Sequence, residues 1–145
     1  MAELTEEQIA QEEDWLKGLP RFNWAAFLMP PIWGPAHGIW VTILYYPAWL
    51  LADDLFYETF VNPNPMSILL SILAAAILLG ITVGFAIASQ PFAAHRAESL
   101  GVDRETYLRR QKYWTVGCAI AAGIMLVLAT MYNIEVRPTL PEIVE

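Results

Sequence analysis

Three long stretches of this chain, Phe22–Ala52, Met66–Ala88 and Tyr113–Tyr132, carry no Asp, Glu, Lys or Arg. Nearly every charge falls in the short segments between and around them. A hydrocarbon slab about 30 Å thick takes roughly 20 helical residues to cross, and this alternation has that spacing. A soluble domain would instead spread its apolar residues as stripes on amphipathic elements. Charged residues make up 16% of the chain, against roughly 25% in soluble domains. The pattern predicts an all-α membrane protein with three transmembrane helices, preceded by an amphipathic interfacial helix.

The first uncharged stretch is too long for one upright helix, which would run about 46 Å at 1.5 Å per residue. Pro30, Pro31 and Pro35 interrupt it, and each proline removes a backbone donor and pushes its predecessor out of helical geometry. The expected division is an interfacial helix over 22–29, a turn over 30–35 and a first span over about 36–52, kinked at Pro47. Aromatic rings favour the headgroup boundary, which suits Phe22, Trp24 and Phe27, with Asn23 and Trp33 completing the motif.

Upstream, residues 1–20 form an acidic cytoplasmic arm. Thr5 with Gln8 reads as a capping box, so a helix starts there, and Pro20 ends the segment. Downstream, 53–65 reads as a polar loop. The second span is 66–88. Its Ala76, Gly80, Gly84 and Ala88 recur every fourth residue, a face on which another helix packs closely. Residues 89–112 form a basic cytoplasmic loop, with a short helix from about Phe92 stopped by Gly101 and a new helix capped by Asp103. That helix runs into the third span, 113–132, where Gly117 and Ala121 form a further small-residue pair. The membrane domain is therefore 21–132, and the acidic tail, 133–145, is expected to be extended.

All of the 8 bases except Arg137 lie in the N-terminal segment or the 89–112 loop. Basic residues stay cytoplasmic, so the N-terminus is placed inside and the C-terminus outside the cytoplasmic (inner) membrane. Net charge is −7, which disfavours nucleic acid as a partner. Cys118 is the only cysteine, which leaves no disulfide within the chain.

Phe22-Asn23-Trp24-Ala25-Ala26-Phe27, Pro31-Ile32-Trp33-Gly34, His37-Gly38 and, in the basic loop, Gln111 and Trp114 resemble an uncharacterised family of small bacterial membrane proteins. The likeness covers most of 21–117 and departs at Gln90-Pro91, where the family pattern has a glycine-asparagine step. It implies a recurring architecture and supplies no activity. Some members carry a ribonuclease label, for which this chain has neither an acidic metal cluster nor a basic RNA face.

No Asp, Glu, Lys or Arg lies in the expected spans, where transporters keep such costly groups for function. No catalytic motif is present, so the chain is not expected to be an enzyme, and no resident cofactor is expected. The favoured function is a non-catalytic accessory or scaffolding subunit that packs against other membrane proteins or its own copies, in contact with membrane lipids. One alternative is an oligomeric channel or transporter lined by Thr82, Thr115 and Thr130. Another is a cofactor-bearing subunit using His37, flanked by Trp33 and Trp40 and on the same boundary as His95. Arg21 (with Asn23), Arg109, Arg110 and Lys112 are the candidate contacts to lipid headgroups.

Overall fold

The computed structural model describes residues 5–140, so the expectations for 1–4 and 141–145 lie outside the described residues. Every regular element among the described residues is helical, and two helices are long and apolar enough to cross a membrane. The order is α1 (Glu6–Leu16), α2 (Trp24–Leu28), α3 (Pro30–Ala36), a 3-10 turn (Trp40–Leu44), α4 (Tyr45–Val61), α5 (Pro65–Ser99) and α6 (Arg104–Met131). A π turn (Tyr132–Val136) and a 3-10 turn (Arg137–Thr139) continue α6.

α1 begins with the expected capping box: Gln8 N–H donates to Thr5 Oγ1 at 3.3 Å, and Thr5 N–H donates to Gln8 Oε1 at 3.0 Å. Asn23 caps α2, its Oδ1 accepting from Ala26 N–H at 3.0 Å. The expected turn over 30–35 is a helix, α3. Pro30 and Pro31 occupy its first turn, where a helix leaves N–H groups unused, so the pair starts the helix where a break was expected.

The single span expected over 36–52 is also absent. α3 stops at Ala36, and the chain reverses through His37 and Gly38 before rising again as the 3-10 turn and α4. Gly38 has φ +87°, and a Cβ there would meet the Arg96 guanidinium at 2.7 Å. A Cβ on Gly34 would collide with the Thr42 side chain. Gly34 is thus required by the close return of the chain on itself, and Gly38 by its left-handed backbone, since the Arg96 guanidinium is the end of a flexible side chain. Pro47 lies in the first turn of α4.

The polar loop expected over 53–65 is mostly helix. α4 continues to Val61 because acidic residues alone do not end a helix, and the break comes only at Asn62–Asn64. α4 pairs antiparallel with α5, Ser71 Oγ donating to the Leu55 carbonyl at 3.0 Å and lying 2.7 Å from Thr59 Oγ1. Asn64 caps α5, accepting from the N–H groups of Met66 and Ser67. α5 passes through Pro91 without interruption, so the separate helix expected from Phe92 is its last turns, which stop before Gly101 as expected. Asp103 caps α6, accepting from Thr106 N–H at 2.9 Å. The tail expected to be extended is helical turn through Thr139.

The core sits at one end of the molecule. It joins Ala25, Ala26, Met29 and Trp33 of α2 and α3 with Ala93 and Ala94 of α5 and Tyr107 and Cys118 of α6. The segment 22–29 is therefore no simple surface helix: Ala25 and Ala26 are fully buried, while Trp24 is 58% exposed. Phe22, Trp24 and Phe27 cluster on the outer side, with ring centroids 4.8 to 6.1 Å apart. Away from this core, only 6% of the apolar stretch of α5, and 6% of that of α6, is buried.

Candidate functional site

Beneath the α2–α3 wedge, three side chains close a ring of hydrogen bonds. Trp33 Nε1–H donates to Gln111 Oε1 at 3.0 Å, and Gln111 Nε2–H donates to His37 Nε2 at 3.0 Å. His37 Nδ1 lies 2.7 Å from the Trp33 carbonyl. A carbonyl only accepts, so Nδ1 carries the proton and Nε2 is the acceptor. The same imidazole stacks on the Trp33 indole at 4.0 Å and meets Trp114 edge-on at 5.2 Å. His37 caps the end of α3 while α6 presents Gln111 and Trp114 one turn apart, so the packing of α3 on α6 brings them together.

This ring keeps His37 neutral. Burial lowers its pKa from 6.5, and the nearby Arg96 charge lowers it further, against the opposing effect of the Trp33 carbonyl. A proton on Nε2 would point at the Gln111 amide N–H. Turning the amide to accept it would break the bond to Trp33, so protonation and the closed ring exclude each other. Both imidazole nitrogens are engaged, and axial ligation through Nε2 would displace Gln111. His95 does not meet His37: it stacks on Trp15 at 3.6 Å and donates to Glu12 at 2.7 Å. No cluster of three or more metal-ligating side chains occurs among the described residues.

The His95 pair belongs to a clamp that holds α1 on the ends of α5 and α6. Trp15 Nε1–H donates to Glu98 at 3.0 Å, and Arg104 lies over the Trp15 ring at 4.8 Å while donating to the carbonyls of Trp15 and Lys17. At the far end, a second charged cluster joins α4 to the end of α6. Arg137 donates to Asp54 at 2.7 Å and to Asp53 at 3.5 Å and covers the Tyr57 ring at 4.0 Å, and Asn133 donates to Asp53 at 2.8 Å. Neither cluster was read from the sequence. The available signal was two adjacent acids at the end of an apolar stretch and a single base in an acidic tail.

The other expected site residues separate. Trp33 and Asn23, placed in the interfacial motif, are core residues at 0% and 4% exposure, so Asn23 does not join Arg21 at a lipid phosphate. Ala76, Gly80, Gly84 and Ala88 are exposed, and a Cβ at Gly80 or Gly84 would meet nothing within 4 Å. Gly117 is likewise open, while Ala121 is half-buried. The hydroxyls of Thr82, Thr115 and Thr130 each donate to a carbonyl four residues back in their own helix. Arg21, Arg96, Arg109, Arg110 and Lys112 form no ion pair among the described residues, although Glu105 lies one helical turn before Arg109.

Comparison with protein-family models, with curated proteins and with solved structures gives no match. Of the motif residues, Trp33, His37, Gln111 and Trp114 meet in one site.

Proposed function

We propose that this chain is a non-catalytic integral membrane subunit that scaffolds other membrane proteins or its own copies, with the N-terminus inside and the C-terminus outside the inner membrane. α5 and α6 supply two spans. α4 supplies a third, its Asp53 and Asp54 paired with the single Arg137 at the outer boundary, where Tyr57 and Tyr132 also lie. Along α6, Tyr113 to Tyr132 covers about 30 Å, the thickness of the hydrocarbon core. α2 and α3 form a wedge at the inner boundary beside bases that make no ion pair among the described residues, and in this reading exposed Trp24, packed against half-buried Phe22 and Phe27, faces headgroups.

The observation that carries the scaffolding reading is the bare small-residue face of α5. The chain covers its helix ends but leaves Ala76, Gly80, Gly84 and Ala88 open, and a second helix can approach such a face to backbone distance. The channel reading is weaker because the candidate pore hydroxyls are turned back onto their own helices. The cofactor reading is weaker because His37 is already held at both nitrogens. The test is the native mass of the protein extracted in mild detergent, with co-purifying chains identified. A stoichiometric complex that Gly84→Leu dissociates is the expected result; a monomer of the same mass with and without that substitution would sink the reading.

A further inference from the structure

The clearest open feature near the polar ring is a groove of about 420 Å³ between α3 and the first half of the α6 span. Its floor is low: Gly117, at which a Cβ would meet nothing within 4 Å, lies beside buried Cys118 and Ala121. Ile32 and Tyr113 form apolar walls, and Trp114 forms another, with His37 edge-on against it at 5.2 Å. Arg110 also lines the groove, one helical turn before Trp114. It makes no ion pair among the described residues, and neither do its neighbours Arg109 and Lys112.

We infer that this groove is a binding site for one anionic phospholipid of the surrounding bilayer. The phosphate sits on Arg110, and one acyl chain lies along Gly117 and Ala121. The order of the lining matches the molecule: a cation, then amphipathic rings at headgroup depth, then a smooth apolar trough on the membrane side. The volume falls within the roughly 300–1,000 Å³ typical of small-molecule sites. Three bases within four residues, with no carboxylate bound to them, select an anionic headgroup over a zwitterionic one through Coulombic attraction at the leaflet surface. A partner helix in the same trough would strand the Arg110 charge beside apolar surface, which is costly. The polar ring behind Trp114 gives the site a wall that is set before the lipid arrives, and preorganisation favours binding.

The inference rests on the reading of α5 and α6 as membrane spans, and the first arm of the test addresses that reading alone. Release of the protein from its membranes by alkaline carbonate would overturn both; retention keeps the spans and leaves the site to be tested. The second arm is native mass spectrometry of the detergent-extracted protein with added phosphatidylglycerol or phosphatidylcholine. One phosphatidylglycerol retained per chain is expected, with phosphatidylcholine bound several-fold more weakly. Arg110→Gln should weaken phosphatidylglycerol about fivefold, the effect of one basic residue at an anionic surface. Gly117→Leu fills the trough without changing charge and should abolish retention of both lipids, with helix content unchanged by circular dichroism. Ile72→Leu, on α5 outside the groove, should leave lipid retention as in the native chain. Equal retention of the two lipids, or unchanged retention in both groove variants, would overturn the site. So would disulfide crosslinking of Gly117→Cys between two copies in the lipid-free protein, which would make the groove an interface.

Discussion

The two halves of α6 have the same backbone and opposite surroundings. Its buried residues, Tyr107, Gln111 and Cys118, all lie at or before its midpoint, where α2 and α3 press against it. From Gly123 to Met131 every residue is exposed. The same division runs along α5, which has no buried residue between Ser71 and Ala86 but buries Ala86, Ser89, Gln90, Ala93 and Ala94 beyond it. Helix formation is common to both halves, so what differs is the neighbour supplied by the rest of the chain. The half beside α2 and α3 is a packed collar with polar and apolar groups in defined contacts. The other half is a set of arms along which large apolar side chains stay exposed, a contiguous face of the kind that marks an interaction or membrane surface.

The largest expected difference between these halves is in core truncation. Trp33→Ala should cost about 3–5 kcal/mol, since it empties a fully buried site and leaves Gln111 without its indole donor. Leu126→Ala, at 70% exposure, should change stability by no more than about 0.5 kcal/mol. Denaturant unfolding in detergent measures both, and a large Leu126 effect would mean that the arms are covered by another chain.

The reversal at the base of the collar should be nearly as sensitive. Gly34→Ala is expected to cost about 1–3 kcal/mol by overpacking against Thr42, and Gly34→Ala with Thr42→Gly should recover part of it. Failure of that rescue would show that the close approach is not the source of the strain.

The collar should also respond to pH while the arms do not. His37 titrates below 6.5 in the folded chain and near 6.5 in the unfolded one, so on acidification the unfolded chain takes up the proton first. Stability is therefore full above about pH 6.5 and falls as the pH drops below it. Thermal unfolding of the native chain and of His37→Gln across pH 5–8 should show this slope in the first and lose it in the second. Equal slopes would assign the proton to another group.

Two smaller effects sharpen the picture at the edges. Asn64→Ala removes the cap of α5 and should cost about 1 kcal/mol on the arm side, read as a lowered unfolding midpoint. His95→Gln should loosen α1 by less than about 1 kcal/mol, because the pair with Glu12 is about half exposed. Amide exchange of α1 at low and high salt checks this; no change on either treatment would assign the docking to Trp15 alone.

Much of the helical organisation was legible because it depends on local chemistry. The capping box at Thr5, the stop before Gly101, the cap at Asp103 and the continuous apolar runs of α5 and α6 all follow from neighbouring residues. The region 30–65 was misread because prolines and acids were taken as breaks. Pro30 and Pro31 sit where a helix needs no donor, and Asp53, Asp54 and Glu58 lie on a helix held against α5. Of the site, His37, Trp33, Gln111 and Trp114 were visible as motif letters, yet nothing local says that an imidazole from one segment accepts from an amide more than 70 positions away.

Apolar lengths, charge asymmetry and most helix ends could be read from the residues alone, since each is a sum over adjacent positions. The wedge formed by α2 and α3, the hold on both nitrogens of His37 and the bare α5 seam came only with the fold. Those outcomes depend on which helix faces meet, and the meeting is governed by the chain reversal, where Gly34 lies too close to Thr42 for a Cβ and Gly38 takes a left-handed backbone.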